Sequence, residues 1–118
     1  MPRFIKDYAN LLRLRLQKFN PQCWLINTGW WGGAYGIGKR IDLLITRKIL
    51  NKCISNSFDA GNYKKSEFFD LKYPAFLEYE EVTSLNPIDK WKDKDLYKKK
   101  AIHLNKLFKD NYKKFSNL

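Results

Sequence analysis

Residues 24–47, which read WLINTGWWGGAYGIGKRIDLLITR, decide what kind of chain this is. A hydrophobic run is followed by a glycine-rich turn, and the turn ends in Gly38-Lys39-Arg40. A second amphipathic segment begins directly afterwards. Phosphate-binding loops are commonly built in this way, because glycines let backbone amides approach the phosphate closely. The stretch therefore indicates a candidate phosphate or nucleotide site.

Length and composition limit the remaining possibilities. The chain has 118 residues, at most one ordinary domain, and 44% of them are hydrophobic, which is enough for a core. Lys and Arg outnumber Asp and Glu by 23 to 12, giving a formal net charge of +11. Such a charge favours acidic partners. However, most of the excess is lysine scattered through the second half, as on a solvated helix face, so we expect no nucleic-acid partner from charge alone.

Metal, membrane and export signals are weak in this sequence. Cys23 and Cys53 lie far apart, and His103 is the only histidine, so no metal site is predicted. We expect both cysteines to be reduced core residues. No apolar run reaches the roughly 18 residues needed to span a bilayer, and the N-terminus lacks the order of a signal peptide. We therefore expect a cytosolic protein without a membrane partner.

Helical spacing of apolar residues predicts three helices. The first runs from about Lys6 to Lys18, and the second from about Leu44 to Ser55. The third is long and begins after Asp93, a candidate N-cap. Its apolar stripe, which we expect to be buried, contains Tyr97, Ala101, Leu104, Phe108, Tyr112 and Phe115.

Short apolar runs bounded by turn residues predict two strands. These are a buried strand from Gln22 to Thr28 and a second strand from Phe68 to Tyr73. Residues 29–38 then form a loop. Its aromatic rings either anchor the loop in the core, which is their commoner role, or stack on a ligand.

The segment from Gly33 to Arg40 nearly matches a P-loop. It has the glycine and lysine spacing, but Arg40 stands where a P-loop has the Ser or Thr that holds magnesium. Its backbone amides and the Arg40 guanidinium could still contact phosphate oxygens. A purely structural glycine-rich turn is the alternative.

Two longer stretches carry a resemblance to a known family. Residues 24–30 (WLINTGW) and 32–41 (GGAYGIGKRI) resemble the ATP-dependent phosphoenolpyruvate carboxykinases. The similarity continues at Thr46-Arg47, at residues 85–87 (LNP) with Trp91, and at residues 108–115 (FKDNYKKF). It covers nearly the whole chain.

The opening of the chain and one loop residue bear on this resemblance. Met1-Pro2 and Tyr8-Ala9 stand as expected, whereas Phe4-Ile5 replaces the usual His-Pro. Trp31 replaces the small polar residue usual after the first tryptophan, which we expect to alter the packing of the loop.

The resemblance implies a cytosolic gluconeogenic enzyme. Such an enzyme decarboxylates oxaloacetate and phosphorylates the product from ATP, giving phosphoenolpyruvate, ADP and carbon dioxide. Magnesium accompanies the nucleotide, and a second ion, usually manganese, polarises the substrate. Carried over by position, Arg40 contacts the nucleotide, Ile41 lies along it, and Thr46 hydrogen-bonds near its base or ribose. No catalytic residue and no metal ligand is carried over, and His103 does not replace one.

The family's chains are several times longer, and their P-loop, metal ligands and oxaloacetate-binding arginine precede the matching region. The resemblance therefore implies that residues 1–118 are a partial C-terminal domain. Its fold would be an α/β fragment of the nucleotide-binding lobe, with short strands flanked by helices and a long C-terminal helix. Alone it would be catalytically inactive, and the rest of the carboxykinase chain would be its partner.

Two alternatives remain open. The chain could be an inactive stand-alone remnant with weak nucleotide or partner binding. It could also be a small basic module that binds nucleic acid, which would need base-stacking aromatic residues among lysines on one surface.

Overall fold

The structure, a computed structural model, describes residues 3–115 as a mixture of helices and short antiparallel strands. Met1 and Pro2, which contribute to the resemblance above, lie outside these residues. The helices are α1 (Ile5–Phe19), α2 (Leu43–Ile54) and α3 (Lys94–Lys113). The strands are β1 (Trp30–Trp31), β2 (Lys39–Arg40), β3 (Tyr63–Lys65), β4 (Lys72–Pro74), β5 (Phe76–Tyr79) and β6 (Glu81–Ser84). This mixture agrees with the predicted α/β class.

The three predicted helices are confirmed, and local signals set their ends. Helix α1 ends at Asn20, which adopts a left-handed conformation with φ of 43° directly before Pro21. Helix α2 begins after Asp42, whose Oδ1 accepts a hydrogen bond from the backbone N–H of Leu44 at 2.7 Å. Helix α3 begins after the predicted N-cap Asp93. Its Oδ1 accepts a hydrogen bond from the backbone N–H of Leu96 at 2.8 Å.

The strands form three separate antiparallel pairs, β1 with β2, β3 with β4, and β5 with β6. The predicted strand from Gln22 to Thr28 is wrong. Residues 21–28 form no helix or strand, and Leu25 is 88% exposed. The predicted strand from Phe68 to Tyr73 is right only at its end, because residues 67–69 form a turn before β4.

The core within residues 3–115 is small. Its buried apolar residues are Phe58, Ala75, Leu77 and Ala101, and Leu77 is completely buried. The expected burial of the whole α3 stripe is wrong, since Phe108 is 58% and Tyr112 68% exposed. Cys23 is also exposed, contrary to the prediction of a core residue.

Helix α3 is fixed to the rest of the chain mainly along its first half and middle. The Phe68 ring lies 6.0 Å from the Tyr97 ring and Phe69 6.2 Å from Phe108. The Asn105 side chain donates a hydrogen bond to the backbone carbonyl of Phe68 at 2.5 Å. Phe108 stays 58% exposed despite its contact with Phe69, and Tyr112, one turn further along the helix, is 68% exposed.

The chain is more open than a compact domain of its size. Its accessible surface is 10244 Å², roughly half as much again as the about 6,700 Å² expected from its mass. Its radius of gyration is 16.7 Å, against about 13.5 Å for a compact domain of this length. Helix α1 contributes to this surface, because it has no buried residue and leaves Leu12 and Phe19 exposed. None of the helices within residues 3–115 is both long and apolar enough to cross a bilayer.

Candidate functional site

The glycine-rich segment folds as a hairpin. Strand β1 pairs with β2 so that Trp30 lies opposite Arg40 and Trp31 lies opposite Lys39. The backbone N–H of Ile41 extends this pairing by donating to a carbonyl before β1, that of Gly29, at 3.0 Å. The predicted loop is thus confirmed as a turn, but its two ends are held together as short strands.

The tip of the hairpin is closed by backbone hydrogen bonds. The carbonyl of Ala34 accepts from the N–H groups of Ile37 at 3.0 Å and Gly38 at 2.9 Å. A Cβ atom at Gly38 would lie 2.7 Å from the carbonyl oxygen of Gly33. Gly36 has a φ of 85°, which L residues with side chains rarely adopt. These glycines allow the backbone to pack on itself, and two of the amides are already used within the turn.

This geometry differs from that of a P-loop. In a P-loop the lysine lies where the glycine loop enters a helix, whose N-terminus faces the phosphate. Here Lys39 and Arg40 lie on β2, and α2 begins three residues later. Its first turn is capped by the Asp42 carboxylate, which is itself an anion. The near match in sequence therefore does not form a P-loop.

A cleft of about 300 Å³ lies beside the hairpin and has mainly aromatic and apolar walls. Residues 24–31, helix α2 and residues 84–91 contribute most of the lining. The ring of Trp24 lies 5.5 Å from that of Phe58 in this wall. Its Nε1 is buried and has no hydrogen-bond partner within residues 3–115. Asn27, Thr28, Ser84 and Asn86 add polar groups.

Two of the three predicted nucleotide-binding residues line this cleft. Ile41 is half-buried directly after β2, and Thr46 is half-buried in the first turns of α2. Arg40 precedes Ile41, is exposed on β2 and lies outside the lining. The structure thus brings Ile41 and Thr46 together, while the roles assigned to all three residues stay predictions.

A second groove runs over the hairpin tip. Its walls are Trp30, Gly33, Ala34, Tyr35, Gly36 and Gly38. Trp30 is 72% exposed, and Tyr35 is fully exposed. The sequence had indicated these rings as either core or ligand contacts. Their exposure shows that neither ring is packed in the core of the described chain.

Trp31 lines the cleft together with Trp30, and it connects the hairpin to the segment before α3. The Lys90 Nζ lies 4.9 Å from the centre of the Trp31 ring, within the range of a cation–π contact. A Cβ atom at Gly32 would lie 3.2 Å from the Lys90 carbonyl oxygen. The unusual tryptophan therefore packs one face of the hairpin against residue 90.

The surroundings of two titratable groups along the cleft favour their neutral forms. Burial raises the pKa of the Cys53 thiol above its usual value. Burial, together with the nearby negative charge of Asp89, raises the pKa of Tyr73. Within residues 3–115 no group of three or more His, Cys, Asp or Glu side chains could hold a metal ion. The walls offer rings, hydroxyls and amides, which are groups that bind a ligand.

Comparison with known proteins gives matches to phosphoenolpyruvate carboxykinases, both for a family model and for individual relatives. A family model described as phosphoenolpyruvate carboxykinase matches residues 1–83. The chain is 42% identical over 110 residues to phosphoenolpyruvate carboxykinase (ATP) of Zea mays, covering 93% of this chain and 16% of that protein. It is 42% identical over 119 residues to the same-named protein of Fusobacterium nucleatum, covering 100% of this chain and 23% of the relative.

A third relative extends this comparison. The chain is 37% identical over 118 residues to phosphoenolpyruvate carboxykinase (ATP) of Campylobacter jejuni subsp. doylei, covering 100% of this chain and 22% of the relative. The chain thus spans between 16% and 23% of the length of these curated relatives.

Proposed function

This chain belongs to the phosphoenolpyruvate carboxykinase family, and on that premise we propose that it is a C-terminal segment of an ATP-dependent carboxykinase. The reaction would convert oxaloacetate and ATP into phosphoenolpyruvate, ADP and carbon dioxide. The contribution of this segment is one wall of the nucleotide site, in the C-terminal nucleotide-binding lobe.

The proposed contacts to ATP are Arg40, Ile41 and Thr46. The observation that carries this assignment is that Ile41 and Thr46 line one cleft directly beside the exposed Arg40. A guanidinium forms bidentate, charge-assisted hydrogen bonds with phosphate oxygens. The Ile41 side chain supplies apolar contact, and the Thr46 hydroxyl can donate to or accept from the base or ribose.

The metal ions of this reaction are not assigned to this segment. Magnesium would arrive with ATP, and manganese would polarise the substrate in the complete enzyme. The residues at the cleft do not fit either ion, since residues 3–115 contain no group of three carboxylate, thiol or imidazole ligands. We therefore derive no step through a metal, and we propose that the segment alone does not catalyse the reaction.

The partner of this segment is proposed to be the rest of the carboxykinase chain. The support is the large exposed surface, which includes the apolar residues of α1 and the outer stripe of α3. Exposed apolar patches of this extent are typical of surfaces that other protein covers. A complete protein would bury Leu12, Phe19 and Phe108 in this way.

A stand-alone nucleotide-binding chain is the second candidate. Such a chain would have to bind the nucleotide with only the residues that line the cleft and the groove. Nucleotide binding without turnover by the native 118-residue protein would support this candidate.

Arg40 provides the test of the nucleotide assignment. In the native carboxykinase polypeptide, Arg40→Ala should raise KM for ATP about tenfold or more, because a hydrogen bond to a charged group is worth about 1.5–3 kcal/mol. The KM for oxaloacetate should stay unchanged, because the proposed contact of Arg40 is with ATP. The melting temperature should also stay unchanged, because Arg40 is exposed.

Lys39→Ala is the matched control, because it removes a neighbouring positive charge from the other face of the same hairpin. Equal effects of the two substitutions on KM for ATP would contradict a specific role for Arg40. ATP-dependent decarboxylation by the purified 118-residue chain would contradict the proposal that this segment is inactive alone.

A further inference from the structure

Trp30 occupies a special position between the two concave surfaces. Its side chain borders both the cleft that contains Ile41 and Thr46 and the groove over the hairpin tip. It is nevertheless 72% exposed, although it is a large apolar side chain on a regular strand. The indole therefore forms a ridge that a ligand lying across both surfaces would contact.

The strand register places Arg40 beside this ridge. Trp30 and Arg40 are directly opposite each other in the antiparallel pair β1–β2. Directly opposite residues project from the same face of a hairpin, with Cβ atoms about 4.5–5.5 Å apart. The two side chains thus start from neighbouring positions on one face of the hairpin.

On the other face of the hairpin, Trp31 lies opposite Lys39, and the Lys90 Nζ lies 4.9 Å from the centre of the Trp31 ring. Trp31 and Lys90 also line the cleft, so a ligand in the cleft could contact this face as well. The face with Trp30 and Arg40 has no such contact within residues 3–115, and both side chains are exposed. An aromatic surface next to a fixed positive charge matches a ligand with a planar ring and an anionic group.

We propose that Trp30 is a further nucleotide-binding residue, whose indole face stacks on the purine of ATP while Arg40 binds phosphate oxygens. This inference rests on the proposed function and extends it by a residue to which the resemblance in sequence gave no role. Trp30, Ile41 and Thr46 all line the cleft, so we expect the 118-residue chain to bind ATP, but more weakly than a complete carboxykinase, of whose nucleotide site it forms one wall. Stacking of a base on an aromatic side chain typically strengthens binding about 5- to 150-fold.

The test is a titration of the 118-residue chain with ATP and magnesium up to millimolar concentration. Binding is followed by NMR chemical shifts and by tryptophan fluorescence. Trp30→Leu keeps an apolar side chain but removes the ring, and it should weaken binding about fivefold or more. Trp30→Phe keeps an aromatic face, so its dissociation constant should stay close to that of the wild type. The quenching of fluorescence by ATP should fall in both variants.

Tyr112→Leu is the matched control. Tyr112 is 68% exposed, close to the exposure of Trp30, and it lines neither the cleft nor the groove. This substitution should leave both the dissociation constant and the quenching unchanged. Melting temperatures of all three variants should stay near the wild-type value, because the replaced side chains are largely exposed.

Two outcomes would overturn the inference. One is equal ATP affinity of Trp30→Leu and the wild type, which would mean that the indole does not contact the nucleotide. The other is no detectable binding by the wild-type chain. The Arg40→Ala measurement in the native polypeptide would still decide the proposed function in either case.

Discussion

Replacing Gly38 by alanine should open the glycine-rich hairpin. The added Cβ atom would lie 2.7 Å from the Gly33 carbonyl oxygen and 3.1 Å from that of Trp31. Both atoms belong to the backbone, so no side-chain rotation can relieve the contact. The chain must therefore separate at the point where the Gly38 N–H donates to Ala34.

The size of the effect follows from the hydrogen bonds at the tip. The substitution threatens two bonds to the Ala34 carbonyl, from Ile37 and Gly38, and each is worth about 0.5–1.5 kcal/mol net. Replacing glycine by alanine also restricts the unfolded chain, which offsets about 0.4–1 kcal/mol. The free energy that holds the hairpin closed should fall by about 1–2 kcal/mol, which corresponds to a 5- to 30-fold change in the opening equilibrium.

Native-state hydrogen exchange measures this opening residue by residue. The Ile37 and Gly38 amides should exchange about 5- to 30-fold faster in Gly38→Ala. Gly61→Ala is the control, because its Cβ atom would meet only the Asp59 carboxylate at an ordinary 3.5 Å. Unchanged exchange at the tip in Gly38→Ala would refute the reasoning that close backbone packing requires this glycine.

Three further predictions concern stability. Leu77→Ala should lower the free energy of unfolding by about 2–5 kcal/mol, because Leu77 is completely buried. Urea denaturation measures this loss, with the exposed Val82→Ala as the control. A loss in Leu77→Ala no larger than that in Val82→Ala would contradict the prediction. Asp93→Ala should lower the free energy of unfolding by about 1 kcal/mol, because the hydrogen bond that caps α3 is lost. Asp95→Ala is the control, and an equal loss of stability in this variant would argue against capping by Asp93. Burial, with smaller contributions from Tyr73 and Glu67, raises the pKa of Tyr97 above the ordinary value of 10.0. Its contribution to stability is therefore full below pH 10.0 and is lost as the pH rises through the folded pKa, because the unfolded chain loses the phenol proton first. When denaturation is measured at a series of alkaline pH values, Tyr97→Phe should lose less stability than the wild type as the pH rises. An unchanged dependence of stability on pH would contradict a raised pKa of Tyr97.

The helices were predictable because their signals are local. Apolar spacing and the stop at Pro21 located α1, and Asp93 marked the start of α3 before any tertiary contact was considered. The extent of burial was not predictable in the same way. The stripe of α3 is continuous in sequence, yet burial depends on what packs against it, and the turn at residues 67–69 reaches only part of the helix.

The strands were less predictable because pairing depends on a partner. Residues 22–28 have a strand-like composition, but no strand among the described residues pairs with them. The β5–β6 hairpin was missed because it turns at Glu80, which has a φ of 49° without being the usual glycine or asparagine. A glutamate gives no turn signal in sequence.

The candidate site was predictable in part. The family motif indicated Arg40, Ile41 and Thr46, and the common cleft of Ile41 and Thr46 appeared only in the structure. The hairpin form of the glycine-rich segment was not anticipated, because two-residue strands such as β1 and β2 are defined by their pairing rather than by their composition.

The central claim is that this segment works as the nucleotide-binding part of a longer carboxykinase. The most direct test is to capture the native polypeptide from its source cells with an antibody against the α3 segment Lys94–Lys113. Its mass and its activity with oxaloacetate, ATP and divalent metal are then measured. We predict a polypeptide several times heavier than 14.1 kDa that forms phosphoenolpyruvate only when ATP is present. A polypeptide of 14.1 kDa without this activity would contradict the claim.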